Sequence, residues 1–324
     1  MNKLFGHREV SRFFDVGFKA DKLAGAYLLI GPSGVGKKTF VRDLICKWHD
    51  LSSFDQIGND VDVYWLERIE GKKEISIEQI RSLSEFVNLT SWNNRLRVVV
   101  IADCDLMNAE SANALLKTLE EPAPLTIFLL TTAHSRRLPL TIISRCQTVN
   151  FSPLSEEEIK GYLNNEKFVG DIDFVLPLAQ GRPGRVRNLI NDEIELNKRQ
   201  QVVKLFTDYL LTKKSIASID YVNDLLLKSK AGEEKDLLGQ NEKLAALFSV
   251  WLEVARDVLF SKYGTPQALV YKSMAADTEK IANIYTLPNI YSIIKHISDA
   301  LAKLKSNANA KLTLEWLLIS IKNI

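Results

Sequence analysis

Tyr27-Leu28-Leu29-Ile30-Gly31-Pro32-Ser33-Gly34-Val35-Gly36-Lys37-Lys38-Thr39 decides the fold class. The apolar run Tyr27–Ile30 reads as a buried strand. A turn of the form G-x-x-x-x-G-K follows it, and a helical pattern follows the turn, which is the setting a phosphate loop requires. Glycines let the main chain wrap closely, so that its N–H groups point at phosphate oxygens. The next helix N-terminus adds partial positive charge and Lys37 adds a full one. The candidate nucleotide-binding residues are Gly31, Gly34, Val35, Gly36, Lys37, Lys38 and Thr39.

The groups that seat magnesium in such a loop are damaged. The residue after the lysine is ordinarily Ser or Thr, whose hydroxyl binds the ion; here it is Lys38. Thr39 stands one residue late, and one residue turns a helix by about 100°, so its hydroxyl misses the metal. The second half of the site belongs at the end of another strand. Arg97-Val98-Val99-Val100-Ile101 leads into Ala102-Asp103, so the first acidic place holds alanine. The second holds a carboxylate one methylene shorter than the glutamate that orients the attacking water in many P-loop ATPases. Asp105 does not replace either group. Phosphoryl transfer depends on positioning and on metal electrostatics. The expectation is weak ATP or ADP binding through the loop backbone and Lys37, without well-ordered magnesium, no required cofactor, no metal site, and defective hydrolysis.

Residues 1–152 alternate short branched or aromatic runs (Tyr27–Ile30, Val61–Leu66, Val98–Ile101, Ile127–Leu130) with helical spacings, which predicts a largely parallel sheet covered on both faces. Ser76 with Gln79, and Ser155 with Glu158, read as capping boxes, with Ile75 and Leu154 stapling onto Ile80 and Ile159. After Pro153 the periodicity is helical throughout. Gly181-Arg182-Pro183-Gly184 is a turn between two helices. Two apolar stripes, Leu244, Phe248, Trp251, Ala255, Val258 and Ile290, Ile293, Ile294, Ile297, Leu301, Leu304, read as helix faces in a core or a subunit contact. The domains are predicted at 1–152, 153–196 and 197–324.

The 324 residues carry 42 basic and 40 acidic side chains, a net charge of +2, which argues against a polybasic nucleic-acid binder. Cys46, Cys104 and Cys146 form no C-x-x-C pair, so a disulfide framework has no support. Cys46 and His49 have a Cys-x-x-His spacing, but no second ligand pair follows. Neither a signal peptide nor a run of 18 apolar residues appears; the expectation is a cytoplasmic protein with no membrane association.

Asp105-Leu106-Met107-Asn108-Ala109-Glu110-Ser111-Ala112-Asn113-Ala114-Leu115-Leu116-Lys117-Thr118-Leu119-Glu120-Glu121-Pro122 resembles the helix after the second nucleotide motif in bacterial DNA polymerase III clamp-loader subunits. Ser144-Arg145-Cys146-Gln147 resembles their SRC motif. Phe5–Val10, Ala26–Gly31 and Gly181–Arg185 fit the same pattern in the same order. The likeness covers residues 4–190 in detail, and beyond them only helical character. It implies an α/β P-loop AAA+ domain with a parallel sheet covered by helices, followed by two all-α domains, a lid and a collar. It also implies an assembly with gamma/tau and delta subunits that loads the sliding clamp onto primed DNA, which this chain would meet through the complex.

Within the family, the damaged metal site and the length are similar to the delta-prime subunits, of DNA-directed DNA polymerase holoenzymes in replication. There Arg145 would be an arginine finger acting in trans on a neighbour's ATP. The gamma/tau sensing arginine falls near Gly184, and Arg185 stands in a different register, so that role is not carried over. Relatives' four-cysteine zinc module is absent here; only Cys46 remains. Two alternatives stand beside this reading: an ATP-hydrolysing gamma/tau-like subunit, and another AAA+ factor of DNA repair.

Overall fold

A computed structural model describes residues 5–88, 95–191, 193–212 and 237–324. Among these, α1 (Arg8–Lys19) precedes β1 (Ala26–Ile30) and α2 (Lys37–His49). Next come β2 (Val63–Leu66), α3 (Ile77–Asn88), β3 (Arg97–Ile101) and α4 (Ala109–Glu120). Then follow β4 (Thr126–Thr132), the short α5 (Leu140–Ile143), β5 (Gln147–Asn150) and α6 (Glu156–Asn165). The strands form one parallel sheet in the order β2-β3-β4-β1-β5. Four strands fall where hydrophobic runs place them. The fifth, Gln147-Thr148-Val149-Asn150, is largely exposed and nearly without apolar residues, so no run announces it. Pairing with β1, Tyr27 opposite Gln147, makes it a strand.

Alternation builds the two faces. Leu28, Val99, Ile101, Phe128 and Leu130 pack with Ile80 and Leu83 of α3 and Leu115 of α4. Tyr27, Leu29, Val98, Val100, Ile127 and Leu129 pack on the other side with Phe14 of α1 and Phe40, Val41 and Leu44 of α2. β3 and β4 are buried along their whole length, which is why they read as unbroken apolar runs. This is the α/β P-loop class, a parallel sheet covered by helices on both faces, that the sequence predicts.

Past Asn150 the described residues are helices and turns. The Ser155 capping box forms in full, and at Ser76 the glutamine arm of the box is in place. Ser155 N–H donates to Glu158 Oε2 at 2.9 Å while Glu158 N–H donates to Ser155 Oγ at 3.2 Å, and Ser76 N–H donates to Gln79 Oε1 at 3.1 Å. Further helices are α7 (Ile172–Ala179), α8 (Pro183–Asn191), α9 (Glu193–Thr212) and α10 (Leu237–Lys262). The last are α11 (Ala275–Ile284), α12 (Leu287–Lys305) and α13 (Ala310–Lys322). The two apolar stripes lie on α10 and α12, which pack on each other, and the first stripe is buried throughout.

The chain divides into two compact units: Met1–Phe168 with Ala179–Arg187, and Val169–Leu178 with Asn188–Ile324. The 153–196 segment, predicted from sequence as one lid, supplies residues to both. No helix among the described residues is long and apolar enough to cross a membrane.

Candidate functional site

Parallel register brings the chemistry to one edge. Ile30 pairs with Thr132 and Ile101 with Leu130, while Leu66 pairs with Ile101. The loops leaving β1, β2, β3 and β4 therefore open on the same, C-terminal edge of the sheet, where open α/β sheets bind ligands. A cleft of about 280 Å³ lies there. Its walls include Gly34, Gly36, Lys37, Lys38 and Thr39 from the loop and α2, Asp103 after β3, Tyr162 of α6, and Arg187 of α8. Of the residues predicted to bind nucleotide, Gly31 and Val35 stand outside the walls. Val35 is fully buried, and its carbonyl accepts a hydrogen bond from His7 Nε2 at 3.0 Å.

Gly36, the N-cap of α2, has φ 109° in the left-handed region. A Cβ there would meet nothing within 4 Å, so the backbone angle demands glycine, not crowding. Gly34, with φ 80°, offers its carbonyl to the Gly184 N–H at 2.8 Å. This contact ties the first turn of α8 to the phosphate loop. It needs glycine at position 184, since an added Cβ would lie 3.0 Å from that carbonyl.

Lys37 is buried, and its ammonium donates to the carbonyls of Gly31 at 2.5 Å and Pro32 at 2.9 Å. Burial lowers its pKa, and Asp103 and Asp105 partly offset that. Lys38 turns the other way. Its Nζ lies 2.9 Å from Asp103 Oδ2 and 3.4 Å from Glu67 Oε2. Trp65 Nε1 also donates to that Glu67 oxygen, at 3.4 Å. Glu67 went unseen in the sequence; its signal is its place immediately after the Val63–Leu66 strand.

The loop after β3 explains why Asp103 and Asp105 part ways. Asp103 has φ 52°, and its N–H donates to Thr131 Oγ1 at 3.0 Å. This left-handed turn ends strand periodicity. Asp105 Oδ1 then accepts from Thr132 Oγ1 at 2.7 Å and from the Ala133 N–H at 3.3 Å. Thr131 and Thr132 fasten the strand end, and Asp105 is engaged there, outside the cleft walls.

Magnesium needs near-octahedral oxygen ligands at about 2.0–2.1 Å. Ala102 supplies none. Lys38 presents an ammonium where a hydroxyl belongs, and that ammonium rests on the Asp103 carboxylate. The residues present do not fit a magnesium ion.

The far wall is aromatic and charged. Phe5 meets Tyr162 edge to face with centroids 5.4 Å apart. The Tyr162 hydroxyl is hydrogen-bonded with Glu166 and Arg187, and burial raises its pKa. Arg187 was not singled out by sequence; it lies one helical turn past Gly184, on the same face of α8. Arg185 instead reaches Gln180, its Nη1 donating at 3.1 Å.

Arg145 is no part of this cleft. It is exposed, between α5 and β5. Its Nη1 donates to the Thr141 carbonyl at 2.8 Å and its Nη2 pairs with Glu120 at the end of α4. His49 is no zinc ligand partner of Cys46 either: its Nδ1 lies 2.9 Å from Asp60 Oδ2.

The family model described as DNA polymerase III, delta subunit, matches residues 6–155. The DNA polymerase III subunit delta' of Bacillus subtilis is 26% identical over 317 residues, 93% of this chain and 92% of that protein. Over most of its length the chain is thus similar to subunits of DNA polymerase III. The DNA polymerase III subunit gamma of Buchnera aphidicola (subspecies Schizaphis graminum) is 28% identical over 226 residues, 64% of this chain and 62% of that subunit. A DNA polymerase III gamma subunit-related protein of Thermotoga maritima superposes with a TM-score of 0.48 at 18% identity, over 96% of this chain and 98% of that one. The cleft keeps the phosphate-loop pattern Gly31–Lys37, with Lys38 and Ala102 at the positions where metal-binding groups are expected.

Proposed function

We propose that the chain is a delta-prime-like, largely non-hydrolysing subunit of the DNA polymerase III clamp loader. It assembles with gamma/tau and delta subunits, helps load the sliding clamp onto primed DNA, and meets that DNA through the complex. It supplies Arg145 to the ATP site of a neighbour. The observation that carries this reading is the Lys38 ammonium on Asp103 and Glu67. A cation that belongs to the chain stands among the carboxylates that a hydrolysing site reserves for metal and water. Arg145 supports the second half, because it is exposed and outside its own cleft. Arginine suits work across an interface, since its charge is permanent and its planar fork bonds two oxygens.

The test is reconstitution with gamma/tau and delta subunits. The isolated chain is expected to show no ATPase. Arg145→Ala is expected to lower the ATPase of the complex while the mass of the complex stays the same. Unchanged ATPase would remove the finger role.

A second reading is favoured by the gamma match: a hydrolysing gamma/tau-like subunit. It requires turnover by the isolated chain that Lys37→Ala abolishes.

A further inference from the structure

Phosphates gathered in a cleft need counter-charge close by. In hydrolysing P-loop sites a divalent ion supplies much of it. Here the ligands for that ion are gone, yet a positive charge stands among the residues that remain. The Lys38 ammonium lies 2.9 Å from Asp103 and 3.4 Å from Glu67, side chains that are 42% and 50% exposed. Lys38 and Asp103 both face the cleft, alongside Gly34, Gly36, Lys37 and Thr39. An ammonium carries three N–H donors, and these two carboxylates engage two of them.

The two carboxylates hold the ammonium at the wall of the cleft that Lys38 and Asp103 line, as ligands would hold an ion. The side-chain stem tethers it, so its local concentration does not depend on salt or on free metal. A divalent ion entering beside it would have to part Lys38 from Asp103 and stand next to two lysine charges. We propose that Lys38 is a tethered replacement for the divalent cation, so that the cleft takes a nucleoside di- or triphosphate in its metal-free form. The proposal rests on the reading above only in treating the loop as a phosphate site.

One consequence separates it from ordinary P-loop behaviour. Free magnesium chelates the phosphates of a nucleotide and thereby competes with the cleft for them. Added magnesium leaves the affinity unchanged or weakens it.

The experiment uses the full chain, titrated calorimetrically with ATP and with ADP, once in excess EDTA and once in magnesium chloride. Manganese electron paramagnetic resonance on the same mixtures reports any ordered metal. Saturable binding in EDTA that magnesium does not tighten is the expected result, with no manganese ordered by the complex. Lys38→Met is expected to loosen metal-free binding about tenfold or more, and Lys38→Arg to keep it. Tightening by magnesium of about tenfold or more overturns the proposal. So does stoichiometric ordered manganese, or a lack of saturable binding in EDTA. Should Lys38→Met fail to fold, by circular dichroism, the wild-type arms decide alone. Absence of binding would leave the subunit role standing, because the Arg145→Ala measurement on the complex tests that role separately.

Discussion

Gly31 shows how tightly single residues are constrained around the cleft. A Cβ at this position would fall 2.3 Å from the Phe151 carbonyl oxygen, a backbone atom that cannot swing aside. Gly31→Ala is therefore expected to cost about 1–3 kcal/mol, the usual scale of overpacking, read as a lower denaturation midpoint with an unchanged slope. His7 adds a pH dependence. Burial holds its imidazole below the usual value, and the Val35 carbonyl and Glu158 only partly offset that. The folded chain therefore binds this proton less readily than the unfolded chain does. The His7 contribution is present above the ordinary histidine pKa and is lost as pH falls through the lowered value. His7→Gln retains an N–H donor for Val35 and removes the titration, so the fall in stability between neutral pH and about pH 5 should become shallower. Denaturant unfolding across that range measures it.

At the scale of elements, α4 runs from the loop after β3 toward Arg145. Asn108 caps it, Oδ1 accepting from the Ser111 N–H at 2.9 Å. Ser111 is buried, and its Oγ donates to the Ile75 carbonyl at 2.9 Å. The far end of the helix carries Glu120, the partner of Arg145. Asn108→Ala leaves the first-turn N–H groups without their cap and is expected to cost about 1 kcal/mol. Amide exchange should accelerate in the first turn of α4 while β3 amides stay protected. A larger cost spread over the sheet would mean that the cap does more than start its helix.

At the scale of the molecule, each of the two units buries apolar side chains of its own. The second is organised around Trp251, which is 1% exposed and stacks on Phe206 with centroids 4.7 Å apart and planes 8° from parallel. Asp257 is buried nearby on α10, where its carboxylate accepts the Val270 and Tyr271 N–H groups at 2.8–3.0 Å. Trp251→Ala opens a cavity in that core and is expected to cost about 3–5 kcal/mol. Exchange protection should fall in α10 and α12 and persist in β3 and β4. Equal loss in both units would show that they unfold as one.

By itself the sequence determined the class of fold and marked the phosphate loop as the candidate site. The runs at Tyr27–Ile30, Val98–Ile101 and Ile127–Leu130 are apolar because both faces of a parallel sheet are covered, and the Gly31–Lys37 spacing answers to phosphate geometry. It also revealed which metal groups are missing, since Lys38 and Ala102 can be read by position. Only the tertiary structure decided what took their place. Lys38, in the first turn of α2, meets Glu67 and Asp103, which follow β2 and β3, because strand register aligns the ends of β1, β2 and β3. The polar strand β5, the turn of Asp103 away from Asp105, and the arrival of Arg187 at the cleft have the same origin. Each depends on partners distant in the chain, and hydrophobic periodicity reports only what a segment does with its own neighbours.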